Sequence, residues 1–214
     1  LKENYNSLFK TNNEIWDMYC DKFDNVWIGP RAGGLCRFDG DYVQHFDISD
    51  GLNGKVVWAL ANNSATKTYY FGTIGGGVNI YNGENFMSAP FNDKLPAKSI
   101  RSLFCDSKQN LWIGTTKGIA LYTKEGKLID YSSVEEIGAI TIFKFCEDKE
   151  GAIWINHDKG IHCFKAGKFY KPYGDLFADY LYFTTSTITT RNGEKWISCN
   201  EGAIAIDKNN KQLY

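Results

Sequence analysis

Proline is scarce in this chain, with 4 among 214 residues, and histidine and methionine are scarcer still, at 3 and 2. So little proline argues against a Pro-rich linker or a low-complexity segment. Three histidines, with no carboxylate at a recurring ligand spacing, argue against a metal centre. The six cysteines (Cys20, Cys36, Cys105, Cys146, Cys163 and Cys199) form no CxxC pair. They stand mostly in apolar, strand-like stretches and are expected to be buried free thiols. Charge imbalance is missing too: 24 basic against 25 acidic residues leave a net charge of -1, which gives neither nucleic acid nor an anionic membrane a reason to bind. No run of 18 apolar residues is present, so no membrane-spanning helix is expected. The opening residues Leu1-Lys2-Glu3-Asn4 lack the basic and apolar regions of a signal peptide, so a soluble chain is expected whose compartment is not written at its start.

What the chain does have is aromatic side chains, at 15%, and glycine, at 21 residues. This balance suits many short strands joined by glycine turns. A long-period repeat organises them. Trp27, Tyr70, Trp112, Trp154 and Trp196 align at steps of 43, 42, 42 and 42 residues, each inside an apolar strand-like segment such as Leu111-Trp112-Ile113-Gly114-Thr115. Six residues after each anchor stands a glycine (Gly33, Gly76, Gly118, Gly160, Gly202), and six residues before three of them stands an aspartate (Asp21, Asp106, Asp148) that opens a polar turn. Each unit reads as strand, turn, strand, glycine loop, strand, turn, strand. In the third unit the strands are expected near Ile100 to Cys105, Asn110 to Thr115, Ile119 to Tyr122 and Leu128 to Tyr131.

Four-stranded repeats of about 42 residues are the mark of propeller blades, whereas solenoid repeats of that length are helical. The fold expected is all-β, a β-propeller of five blades of four antiparallel strands spanning 1–214 as one domain. The anchor tryptophan is expected to fill the wedge between neighbouring blades. Tyr5 to Lys10 resembles the outer strands Tyr42 to Phe46 and Phe86 to Phe91 and would complete the last blade, closing the ring. Gln212-Leu213-Tyr214 also begins an outer strand, which leaves a five-repeat fragment of a larger propeller as the other reading.

Asp106 to Thr115 with Lys117-Gly118-Ile119, and Asp21 to Leu35 with Trp27-Ile28-Gly29 and Gly33-Gly34-Leu35, resemble the two-component regulator propeller repeat. The second unit has Tyr70 in place of tryptophan, and the fourth and fifth have Asn156 and Ser198 where the others have glycine. The resemblance covers nearly the whole chain. It implies the sensor region of a bacterial hybrid two-component system on the periplasmic or extracellular side of the envelope, with a signalling output module as partner and glycan fragments as ligands. Some relatives in this family are stand-alone secreted or lipid-anchored propellers.

Propeller ligands bind where the loops between second and third strands converge with those between blades. On those loops Arg31, Lys117, His157, Asp158, Asn200 and Glu201 offer donors and acceptors suited to a hydroxyl-rich or acidic sugar. Polarity for solubility is the competing explanation. Trp16, Trp58 and Arg101 share one phase at the start of the innermost strand and would line the mouth as stacking platforms, or else pack blade on blade. His157 and His162 are too few for a metal site. Gly75-Gly76-Gly77 is no phosphate loop, since no Gly-Lys-Ser/Thr follows. Asn62-Asn63-Ser64 fits a glycosylation sequon, a pattern common by chance. No catalytic motif and no cofactor is expected. The first reading is therefore a ligand-binding sensor module. A protein-interaction scaffold is the second. A propeller lyase or glycosidase, with Asp158 and Glu201 as its carboxylate pair, is the third.

Overall fold

The computed structural model describes residues 2–3, 14–31, 33–174, 184–200, 202–207 and 211. They divide into two compact units, Leu1–Cys105 and Asp106–Tyr214. The fold is an all-β propeller of five blades, one for each repeat.

In the first unit β1 (Lys2–Glu3) pairs antiparallel with the outer strand of the first blade, which is built from β2 (Ile15–Cys20), β3 (Val26–Pro30), β4 (Leu35–Phe38) and β5 (Val43–Phe46). The second blade holds β6 (Val57–Asn63), β7 (Thr68–Thr73), β8 (Gly77–Tyr81) and β9 (Phe86–Ser88), and β10 (Ile100–Cys105) opens the third repeat. In the second unit β11 (Leu111–Thr115), β12 (Gly118–Tyr122) and β13 (Leu128–Asp130) continue that repeat. The fourth blade follows with β14 (Ile142–Glu147), β15 (Ile153–His157), β16 (Gly160–Lys165) and β17 (Lys168–Tyr170). The described part of the fifth is β18 (Ser186–Thr189), β19 (Lys195–Cys199) and β20 (Gly202–Ile206). The strands of the third repeat fall within a residue or two of their expected positions. Tyr5 to Lys10 and Gln212 to Tyr214 lie outside the described residues.

The anchors do the packing expected of them. Trp27 is 1% exposed and meets Tyr69 and Phe71 of the next blade, each at 5.2 Å between ring centroids, and Tyr81 at 5.6 Å. Trp112 is likewise 1% exposed and meets Phe164 of its next blade at 5.0 Å. Aromatic contacts of this kind add about 0.5–1.5 kcal/mol to the area they bury.

The aspartates six residues before the anchors do more than shape a turn. Asp21 Oδ1 accepts the Phe23 and Asn25 amides, while its Oδ2 accepts the Trp27 indole N–H at 3.1 Å and the Tyr69 hydroxyl at 2.8 Å. Asp106 holds Trp112 at 3.0 Å and Asp148 holds Trp154 at 2.8 Å in the same way. One carboxylate thus satisfies both the turn and the buried indole. Burial pushes the Asp148 carboxyl upward, but the bonds from Trp154 and from the Ala152 and Glu150 amides, with the nearby Lys195 charge, outweigh it and hold it below the ordinary carboxylate range. A lowered carboxyl stabilises the fold above the pKa of the unfolded chain, about 3.9, and that stability is lost as pH falls through the folded value. Asp148→Asn is expected to cost about 1–3 kcal/mol, because an amide turned toward the turn N–H groups or the indole leaves a buried donor unmet. The urea midpoint at pH 7 measures this, and no change there would contradict it.

Glycine two residues after the anchor serves close approach. A Cβ on Gly114 would stand 2.7 Å from Ile142 Cγ2, and one on Gly72 would stand 2.5 Å from Ile100 Cγ2. In the fourth blade Asn156 replaces this glycine, and its Oδ1 accepts the Thr187 hydroxyl at 2.8 Å. There the tight apolar contact has become a buried polar pair.

None of the six cysteines is joined in a disulfide. Cys36 and Cys163 are buried as expected and Cys105, Cys146 and Cys199 are partly so, but Cys20 is exposed, on the outward-alternating side of β2.

Candidate functional site

Each blade starts its innermost strand at the end where the hairpin between its second and third strands turns, since Ile15 pairs with Pro30, Val57 with Thr73 and Ile142 with His157. The pairing slips at that start in the first, second and fourth blades, between Ile15 and Asp17, Val57 and Ala59, and Ile142 and Lys144. The residues left over are Trp16, Trp58 and Phe143. A bulge re-aims the side chain it carries, so one position of the repeat repeatedly presents an aromatic at the loop end.

In the first unit three sequence-predicted residues come together. Trp16 stands edge-on to Trp58, with centroids 5.6 Å apart at 75°, and the Arg101 guanidinium lies 4.1 Å above the Trp58 ring. Trp16 is 43% exposed, while Trp58 and Arg101 are half-buried. Burial draws the Arg101 pKa below its usual value, though it remains a cation at neutral pH. The Trp58 indole N–H is buried and has no hydrogen-bond partner among the described residues. Next to β2, Arg31 Nη1 lies 2.6 Å from both carboxylate oxygens of Glu14, in an exposed ion pair.

Segments joining the blades are tied into the same end: the Gly34 amide donates to the Lys55 carbonyl, Ile74 to Val56 and Gly77 to Lys98. Between them, on the second blade, opens a cavity of about 490 Å³ lined by Asn53, Gly75, Gly76, Ser88, Asp93 and Lys98 among others. Its charged pair, Lys98 with Asp93 at 2.8 Å, is internally neutral. Gly75 and Gly76 of the glycine triplet belong to this wall, and Gly77 opens β8. Gly77 pairs with Thr73 to close a three-residue turn, one residue longer than the turn that Gly118 closes on Thr115. This cavity is within the size range of small-molecule sites, and the sequence named its loops without singling out the space between them.

In the second unit Lys117 and Asn200 are exposed hairpin-tip residues, and Glu201 lies outside the described residues. Asp158 is half-buried; its amide donates to the Thr141 carbonyl, and its Oδ1 is enclosed with no partner among the described residues. His157 is 1% exposed and is hydrogen-bonded to His162, Nε2 to Nδ1, at 2.8 Å. Burial drives the His157 pKa down to about 3, helped by the neighbouring His162, Lys159 and Lys171. Among the described residues no group of three or more His, Cys, Asp or Glu side chains converges to hold a metal, and no helix is long and apolar enough to cross a membrane.

Comparison with known proteins bears on the repeat itself. The two-component regulator propeller family matches at residues 10–31 and 94–117. These two segments are similar to two-component regulator propeller repeats. Histidine kinase P4 of Formosa agariphila is 25% identical over 127 residues, covering 56% of this chain and 9% of the kinase. The extracellular domain of BT3049 from B. thetaiotaomicron, part of a hybrid two-component system, superposes with a TM-score of 0.77 at 22% identity, over 91% of this chain and 28% of that one. This chain therefore spans only a small part of either protein. Virginiamycin B lyase of Staphylococcus aureus also superposes, with a TM-score of 0.73 at 12% identity over 96% of this chain and 70% of the lyase. At those identities the superpositions speak for the propeller fold.

Proposed function

We propose that this chain is the ligand-binding propeller segment of an extracytoplasmic two-component sensor, taking a carbohydrate-like ligand at the loop end of its blades. The observation that carries this reading is the convergence of Trp16, Trp58 and Arg101, each set at the same phase of the repeat and the two tryptophans on bulges. An exposed indole face suits the C–H face of a sugar ring, and a guanidinium beside it suits hydroxyl or carboxylate oxygens. The neutral polar cavity on the second blade offers room for a further unit of the same chain of sugars. The match to the regulator-propeller family, and the similarity to signalling proteins, support the sensory role and its placement outside the cytoplasm.

A thermal-shift screen against neutral and acidic oligosaccharides tests the reading. A ligand at 100 times its dissociation constant adds about 2.7 kcal/mol to folding stability. Trp58→Ala is expected to weaken the selected ligand at least about tenfold, or ~1.4 kcal/mol, with Arg101→Ala similar or larger for an acidic ligand. A screen without any shift contradicts the proposal.

A protein partner, such as a signalling output module, is favoured by one observation. On β2 Ile15 is 44% and Met18 59% exposed, whereas the residues at the same places in the next two repeats, Val57 and Ile100, Leu60 and Leu103, are at most 6% exposed. Capture of that module by a chain indifferent to sugars would support it. We read the chain as a binding module and not as an enzyme. Polysaccharide turnover abolished by Asp158→Asn or Glu201→Gln would overturn that.

A further inference from the structure

We propose that the fourth blade carries an acid-sensing site, in which the buried imidazole pair His157–His162 keeps the hairpin between β15 and β16 closed only while both rings are neutral. This function is separate from ligand binding and does not depend on it.

The pair departs from the repeat. The place of His157 is held by Thr73 in the second blade and Thr115 in the third, whose hydroxyls donate to the Gly77 and Gly118 carbonyls across their own hairpins, at 3.0 and 2.9 Å. The place of His162 is held by Ala120 in the third blade and Ile204 in the fifth, as the pairing of each with Ile113 and Ile197 shows. A threonine and a small or apolar residue thus close this hairpin elsewhere, and two imidazoles, 1% and 7% exposed, close it here.

Their hydrogen bonds run in one direction. The Lys159 amide donates to His157 Nδ1 at 3.1 Å, so that nitrogen offers a lone pair and the ring proton sits on Nε2. His157 Nε2–H then donates to His162 Nδ1 at 2.8 Å. A proton added at His157 Nδ1 faces the Lys159 amide. A proton added at His162 Nδ1 faces the His157 N–H. Either one breaks a link that holds the hairpin tip.

The surroundings reinforce this. Lys159 on the hairpin and Lys171 beyond β17 oppose a positive charge on the rings, and Glu136, between β13 and β14, favours one on His162. The residue of β14 paired with His157 is Ile142, and the neighbour preceding β18 is Thr184, whose amide donates to the His157 carbonyl; neither titrates. Burial lowers both imidazoles, His157 to about 3. A histidine with a depressed closed-state pKa stabilises that state fully above its open-state value of about 6.5 and loses the contribution progressively below it, up to tenfold in the closed-to-open ratio per pH unit for each ring.

Amide hydrogen exchange of Lys159, Gly160 and Thr184, normalised to intrinsic rates, tests this between pH 7.5 and 5.5. Protection in the natural protein is expected to fall about tenfold or more. In the double variant His157→Thr with His162→Ala, built from the third blade's own residues, it is expected to stay level. Equal pH dependence in both proteins overturns the proposal. Should the double variant fail to fold, imidazole titration of the natural protein by NMR decides instead. Two rings titrating near 6.5 with the hairpin still protected overturn it; rings that stay neutral to well below pH 5.5, or titrate together with loss of protection, support it.

Discussion

Trp27→Ala is expected to lower stability by about 3–5 kcal/mol, the usual cost of removing a buried tryptophan, and to take with it the order of the first two blades. Trp27 is 1% exposed and lies within 6 Å, ring centre to ring centre, of Phe46, Tyr69, Phe71 and Tyr81. Its N–H also occupies the Asp21 oxygen shared with Tyr69. Truncation leaves a cavity that four rigid rings cannot fill, and it leaves a carboxylate with one donor fewer. Domains are commonly stable by only about 5–15 kcal/mol, so the loss is a large share of the whole. Trp27→Phe keeps most of the ring and loses mainly the indole bond, so its cost is expected nearer 1–2 kcal/mol. Trp196, half-buried at the same phase of the fifth repeat, is expected to tolerate alanine better than Trp27 does. Urea midpoints of the three variants measure this order. A Trp27→Ala midpoint within about 1 kcal/mol of the parent would show that the anchor is no wedge.

The period carries most of what the sequence reveals. Positions that must meet the neighbouring blade recur every 42 or 43 residues, so the anchors, the strands and the phase of Trp16, Trp58 and Arg101 are readable by counting. Phe143 obeys the same count, eleven residues before Trp154, and is legible by the same rule, although a search for polar groups and tryptophans passes over it. The bulges that lift these residues out of the ladder depend on backbone register between strands and leave no mark in composition. Asp21, Asp106 and Asp148 read as turn formers from local chemistry. Their second bond, to an indole six residues on, exists only once the hairpin folds the strand back. The contact between His157 and His162 is hidden for the same reason: five residues separate them, and only the β15–β16 pairing brings Nδ1 to Nε2. Cys20 reads as buried because it alternates with apolar neighbours, yet it faces outward from β2.

Where the fourth repeat departs from the others, it shows which contacts are coupled, and this predicts the behaviour of a transplanted residue. Gly114→Asn is expected to cost about 1–3 kcal/mol or more from overpacking, since even a Cβ would meet Ile142 Cγ2 at 2.7 Å and Phe145 Cε2 at 3.0 Å. It also buries an amide with no acceptor or donor opposite. In the fourth blade the asparagine at this place is accepted because Thr187 faces it, at the phase Phe145 holds in the repeat before, and donates to Asn156 Oδ1. Adding Phe145→Thr to Gly114→Asn should therefore recover part of the loss, by making room and by supplying the hydroxyl. Phe145→Thr alone costs several kcal/mol through the emptied core, about 3–5 for a comparable truncation, so the double variant should be less destabilised than the two single losses added together. A double-mutant cycle reads this as a coupling of about 1–3 kcal/mol. Strict additivity would mean that the residue two after the anchor and the residue facing it at the place of Phe145 are independent choices of their blades. A favourable coupling would mean that each blade's second strand specifies the innermost strand it accepts, which is how a five-blade chain of near-identical units avoids packing in the wrong order.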